Sequence, residues 1–219
     1  MVIDQNLDHL HKCRHQGIEA VTTHNCLLGV LKQLMCFVTK TAIHQEPRHK
    51  FAQIIADSGL RLDLTFTSME GGREYGYDAV ITHPIPVDLT HNQAGIPRRA
   101  AAIAEKKKIA KYGDLCRATN TSFTPWAVET GGIFGELCQK EFYRLCDLHP
   151  RGGHQSFRQY WLMRISIAVQ TGVSNAVLNR KRVLMNKSKR KLNGGVLPDN
   201  VDVMLDCTYA NITGYDPGS

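Results

Sequence analysis

Leu60-Arg61-Leu62-Asp63-Leu64-Thr65-Phe66 and Tyr75-Gly76-Tyr77-Asp78-Ala79-Val80-Ile81-Thr82, joined through Gly71-Gly72, decide how this chain is read. Both stretches are rich in aliphatic, aromatic and β-branched residues, and each predicts a strand. The diglycine between them is a hairpin signal. Each predicted strand holds one aspartate in its interior, fifteen positions apart. Strand interiors disfavour aspartate, and a charge among apolar neighbours is costly unless it is paired or bound to a metal. If the strands pair as a hairpin, Asp63 and Asp78 can face one side and share a divalent cation. The plain alternative makes Asp63 a turn or N-cap residue and Asp78 a strand-edge cap. The Leu-Asp-Leu and Tyr-Asp-Ala-Val-Ile contexts weigh toward function.

Downstream, Pro84, Pro86 and Pro97 forbid regular structure over 83–97. Alanine content and periodicity then predict a helix from Arg98 to about Cys116. Within it Lys108 and Lys111 share a face, while Lys106 and Lys107 point elsewhere. A solvated basic face is the usual fate of such a run. This helix follows the second acidic strand directly, so packing across that strand brings one face near the carboxylates. A lysine there would hold a scissile phosphate or lower the pKa of an attacking water. Two acids, one cation and a lysine outline a metal-dependent nuclease using Mg²⁺ or Mn²⁺.

Upstream, 18–37 has helical periodicity through Ile18, Val21, Leu27, Leu28, Leu31, Leu34 and Met35. Val38, Thr39, Thr41 and Ile43 predict a strand closed by Glu46-Pro47. Phe51, Ile54 and Ile55 allow a short helix ended by Gly59. On the far side, Phe123 to Glu129 predicts another strand, and Gly131-Gly132 precedes a helix from Ile133 to Leu148. His149-Pro150-Arg151-Gly152-Gly153 reads as a linker before two helical stretches at 155–171 and 174–185. The tail from Asn193 is loop-like. The order predicts an α/β class with a helix-flanked mixed sheet. Three segments follow: a polar arm over 1–17, a core domain over 18–150, and C-terminal helices with a basic tail over 151–219.

The 219 residues, 42% hydrophobic, suit one large globular domain with an appendage. A net charge of +7 favours an anionic partner such as nucleic acid, although many enzymes share it. No apolar run is read as nearing the ~18 residues of a membrane span. Met1-Val2-Ile3-Asp4-Gln5-Asn6 has no basic start before an apolar stretch, so no signal peptide is expected. The seven cysteines, Cys13, Cys26, Cys36, Cys116, Cys138, Cys146 and Cys207, are scattered and contain no Cys-x-x-Cys pair. They read as reduced, mostly buried thiols of an intracellular protein.

Three stretches carry a family resemblance. Arg61-Leu62-Asp63-Leu64, Tyr77-Asp78-Ala79-Val80-Ile81-Thr82-His83-Pro84 and Lys108-x-x-Lys111-Tyr112-x-x-Leu115 resemble motifs of the restriction-like endonuclease domain that follows the reverse transcriptase in site-specific non-LTR retrotransposons. That domain belongs to the PD-(D/E)xK nucleases, and the match covers roughly residues 9–148. The resemblance implies a restriction-endonuclease-like αβββαβ core with additional C-terminal helices, DNA as partner, a reverse transcriptase domain in a longer parent protein, and a nuclear location. It implies catalytic Asp63, Asp78, Lys108 and Lys111, and nucleic-acid contacts from Arg61, His24 and Tyr112. Two positions depart from the pattern. Leu62 stands where the family has proline, and Val80 where a lysine usually follows the second acid, so the lysine role passes to Lys108 or Lys111. The second departure leaves open an inactive domain that still binds nucleic acid.

Other constellations are two-sided. Glu129, ending the fourth predicted strand, is either a further metal ligand or a sheet-edge acid paired with an arginine. His24-Asn25 invites a phosphate or metal role, while an N-cap at Thr22, Thr23 or Asn25 is favoured over it; Glu46 has similar standing. His9-x-x-x-Cys13 resembles half of a zinc knuckle, but two ligands do not make a closed site. Arg180, Lys181, Arg182, Lys187, Lys189, Arg190 and Lys191 form an acid-free basic run, either a phosphate-contacting strip, a nuclear import signal or a solvated helix end. Trp126 and Trp161 are expected in the core. The functions in play are a DNA endonuclease, a non-catalytic nucleic-acid-binding domain of the same fold, and a metal-dependent hydrolase of small phosphoesters.

Overall fold

The computed structural model describes residues 17–47, 51, 60–69, 71–84 and 96–193. Gly17–Thr39 forms α1, His44–Gln45 β1, Leu64–Thr67 β2 and Glu74–Thr82 β3. Arg99–Ala118 forms α2, Thr121–Glu129 β4, Glu136–Asp147 α3 and Gln155–Asn193 α4. The fold is mixed α/β. One sheet has the order β1-β2-β3-β4. Its first two pairings are antiparallel, and β3 pairs parallel with β4 across the α2 crossover. The expected hairpin exists, and Gly71 and Gly72 take φ of 78° and 62° in its turn, a region costly for any residue with a Cβ.

The sheet separates two cores. On one face, α1, α3 and α4 bury Leu27, Leu31, Leu34, Tyr77, Trp126, Phe142 and Trp161 in a continuous apolar cluster. Both tryptophans lie there, as expected. On the other face, α2 covers a small cluster of Phe51, Leu62, Tyr112 and Cys116, with Phe123 packed against it. Strand alternation assigns the residues. Tyr75, Tyr77, Ala79 and Ile81 of β3 join the large core, which leaves Gly76, Asp78 and Val80 toward α2.

Several expected boundaries change. The strand expected over 38–43 is absent: α1 runs on to Thr39, whose Oγ1 donates to Met35 O at 2.7 Å, and only His44–Gln45 is extended. Burying Val38 against the core outweighs its β propensity. The helix expected from Ile133 starts at Glu136, because Phe134 bridges Val128 beside the sheet. The stretches at 155–171 and 174–185 are one helix. Gly172 does not break it but lets α4 close on α1, since a Cβ there would meet Thr23 Cα at 2.7 Å. Val21–Thr39 is also, by length and a mean hydropathy of 1.2, apolar enough to cross a membrane, contrary to expectation. Its leucines are buried in the large core, which accounts for that composition. None of the described cysteines is in a disulfide, and Cys36 alone among them is exposed. The short helix before Gly59, the His9/Cys13 pair, residues 85–95 of the proline-rich loop and the tail from 194 lie outside the described residues.

Candidate active site

Asp63 lies just before β2 rather than inside it. The β2–β3 register ends at Leu64↔Tyr77, yet Asp63 N–H also donates to Tyr77 O at 2.9 Å. Two residues thus stand against one, the pattern of a β-bulge, which bends a strand and re-aims its side chains. The consequence is visible next door. Leu62 packs in the small core under α2, while Leu64 packs in the large core on the opposite face. Asp63, between them, bonds within the ladder: its Oδ2 accepts from Ala79 N–H at 2.6 Å, in the place of a backbone carbonyl. Its Oδ1 lies 3.3 Å from His24 Nε2 of α1.

Asp78 occupies the interior of β3 and is only 3% exposed. Lys108 Nζ of α2 forms an ion pair with its Oδ2. The Tyr112 phenol, one helical turn further on, stands close enough to the Asp78 carboxylate for each to influence the other electrostatically. Burial pushes the Asp78 carboxyl above its ordinary value; Lys108 opposes that shift, and the nearby Asp63 charge adds to it. The Tyr112 phenol is pushed up to about 12, first by burial and then by the Asp78 charge. It is therefore neutral at any ordinary pH. The bulge and the helix bring two carboxylates into mutual repulsion, with one ammonium and one phenol on the inner acid and one imidazole on the outer.

The geometry separates Lys108 from Lys111. Lys108 reaches Asp78, whereas Lys111 is exposed and lies over the Tyr112 ring, 4.7 Å from its centroid. Three residues apart, the two lysines are rotated about 60° from each other around the helix, and Lys108 is the one that points toward β3. Tyr112 is not placed for base contacts. Its ring is buried, 6.2 Å from Phe51 and 5.7 Å from Phe123, and only the hydroxyl serves the site. Arg61 is exposed and pairs with Glu46, its Nε 3.3 Å from Oε2. Thr22, Thr23 and Asn25 lie inside α1, which begins at Gly17, so none of them is its N-cap. Lys181 and Arg182 are exposed on α4, and the Arg180 side chain lies outside the described residues.

Glu129 does not join the acid pair. In the β3–β4 register it stands opposite Thr82, and Pro125 stands opposite Asp78. Four residues of strand separate the two levels, about 13 Å at the usual rise. Glu129 is 1% exposed, and Oε1 accepts from Ala101 N–H at 3.4 Å in the first turn of α2. It neutralises helix ends from within the fold, rather than pairing with an arginine at the sheet edge. Among the described residues, no group of three or more His, Cys, Asp and Glu is gathered as a ligand cluster.

The donor set has a definite chemistry. Mg²⁺ keeps several waters and is commonly bound through one or two carboxylates, so Asp63 and Asp78 alone fit a hydrated hard cation and do not fit zinc. Three features could not be read along the chain: the bulge at Asp63, the Ala79 amide on its carboxylate, and the position of Tyr112 beside Asp78. Two further buried carboxylates were also not foreseen. Glu105 of α2 accepts from Cys138 N at 3.0 Å and caps α3. Glu141 of α3 binds the Tyr77 hydroxyl at 2.6 Å and the Arg144 guanidinium. The spacing of Glu141 and Arg144 was a usable signal for that pair. No protein family matches this chain, and neither does any curated protein.

Proposed function

We propose that this chain is a divalent-metal-dependent endonuclease hydrolysing DNA phosphodiester bonds, built on a restriction-endonuclease-like core similar to the target-cleaving domain of non-LTR retrotransposons. The single observation that carries it is a carboxylate sunk in a central strand, paired with a lysine of the crossover helix and flanked by its tyrosine, with a second carboxylate beside it. The order of one helix, three strands, a helix and a strand agrees with the αβββαβ pattern. The net charge of +7 favours a polyanionic substrate.

Asp63 and Asp78 would hold Mg²⁺ or Mn²⁺ through one carboxylate each. The bound ion would supply a more acidic water and neutralise charge on the phosphate. Tyr112, a neutral phenol beside Asp78, would steady that carboxylate. Lys108 offers its ammonium to a phosphate oxygen, taking the role that Val80 leaves vacant. His24 orients Asp63 from the α1 side. Lys111, Lys181 and Arg182 contribute positive potential along exposed helix surface. A nuclear setting, a reverse transcriptase in a longer parent protein and DNA as partner belong to the same proposal.

The test is nicking of supercoiled plasmid in Mg²⁺. Wild type should cut, Asp78→Ala should not while keeping its circular dichroism spectrum, and Lys108→Ala should lose far more activity than Lys111→Ala. A second possibility is a non-catalytic nucleic-acid-binding domain of the same fold, favoured by Val80 at the usual lysine position. It predicts salt-sensitive DNA binding with no cutting in Mg²⁺ or Mn²⁺. Hydrolysis of small phosphoesters without salt-sensitive DNA affinity would point instead to another metal-dependent hydrolase.

A further inference from the structure

We propose that Lys108 occupies the cation position of the acid pair, so that its ammonium and a divalent ion bind Asp78 in exchange rather than together. The inference rests on the metal-site proposal above and adds an order of events to it. Asp63 and Asp78 together carry two negative charges, and the Asp63 charge is close enough to disfavour the charged form of Asp78. Lys108 is the one ammonium paired with either of them among the described ion pairs. Its side chain is 24% exposed, against 5% for Asp78. The buried partner is therefore fixed and the cationic partner has a path to solvent.

Charge decides the sequence of binding. With Lys108 in place, the pair retains one net negative charge, counting His24 as neutral. A divalent ion on the two carboxylates brings them to neutrality. Lys108 is then a cation without its counter-ion, on a flexible four-carbon stem at the surface of α2. Its best available partner is an anionic phosphodiester oxygen drawn to the same ion. Asp78 stays in the strand interior when Lys108 leaves, and the Tyr112 phenol remains beside it, anchored through a ring packed with Phe51 and Phe123. The lysine thus serves first as a placeholder that makes a buried carboxylate tolerable, and then as a phosphate ligand.

The full chain, titrated with Mn²⁺ alone and followed by electron paramagnetic resonance of the free ion, tests the exchange. Lys108→Met keeps the length of the side chain and removes the competing charge. It should bind Mn²⁺ about tenfold more tightly than wild type, a factor equal to about 1.4 kcal/mol. Asp78→Asn should lose binding. Should Lys108→Met fail to fold by circular dichroism, Lys108→Gln carries the same expectation of tighter binding. If wild type cuts DNA with Mn²⁺ but the charge-free variants bind the ion equally or more weakly, lysine and ion sit in separate places and the exchange is overturned, leaving the nuclease proposal standing. If no variant and no wild type binds Mn²⁺ at millimolar concentration, both proposals fall.

Discussion

The two faces of the sheet are made from the same strands by opposite means. Toward α1 and α4, β3 and β4 present Tyr75, Tyr77, Ala79, Trp126 and Val128 to a broad apolar core. Toward α2, the intervening residues are Gly76, Asp78 and, at the end of β4, Glu129, beside an apolar cluster of only a few side chains. The large core is non-directional, and many packings of similar volume would serve it. The α2 face is directional. Each buried carboxylate there has a named partner: the Lys108 ammonium for Asp78, Ala101 N–H for Glu129, Cys138 N–H for Glu105. Most of the apolar burial lies on one face and the acid pair on the other, so one face can be altered for function with the fold held by its opposite.

That division is open to attack in order of expected effect. Trp126→Ala, wholly inside the large core, should cost about 3–5 kcal/mol by denaturant unfolding. Leu62→Ala under α2 should cost about 2 kcal/mol, because the smaller cluster can close over the gap. A larger loss for Leu62 than for Trp126 would reverse the ranking of the faces. Gly172→Val forces a side chain into Thr23 across the α1–α4 contact and should cost about 1–3 kcal/mol; an unchanged midpoint would mean that the two helices are not held as closely as described.

Tyr77→Phe probes a polar device on the apolar face. It removes the donor to Glu141, which keeps Arg144 as partner, so the loss should be about 1 kcal/mol. A loss as large as that of Trp126→Ala would show the apolar face to be directional too.

The smallest effect concerns Glu105, whose carboxyl is pushed above its ordinary value chiefly by burial, against the N–H donors of α3. The protonated form is favoured in the fold. Its contribution is therefore complete below the ordinary glutamate pKa and fades as pH climbs through the raised one. Glu105→Gln keeps an acceptor for the α3 amides and cannot titrate. Wild-type stability measured against this variant should fall as pH rises across the weakly acidic range. A difference flat in pH would mean that the carboxylate is fully compensated by its donors.

The legible parts of this molecule are those in which periodicity and burial coincide. The leucines of α1, the alternation of β3, the Gly71-Gly72 turn and the crossover helix could all be read along the chain, because each depends on neighbours within a few residues. The errors fell where a distant surface outweighed local preference. Val38 and Thr39 have β-forming side chains but complete a helix over the core, and Gly172 looks like a breaker but is a point of close approach. At the site, Asp63, Asp78 and the lysine helix were readable as a set, because carboxylates in apolar strands demand a partner.

Sequence alone determined the inventory: two acids in neighbouring apolar stretches, a basic helix after them, and apolar stripes enough to cover one face of a sheet. Tertiary structure alone decided which lysine answers Asp78, that Tyr112 stands beside Asp78, that Asp63 sits in a bulge against Ala79 N–H and His24, and that Glu129 caps α2 at another level of the sheet. The reason is one of range. Hydrophobic patterning repeats with the period of the backbone and is written in consecutive residues, whereas an ion pair is fixed by ångström distances between side chains that the chain brings together from thirty residues apart.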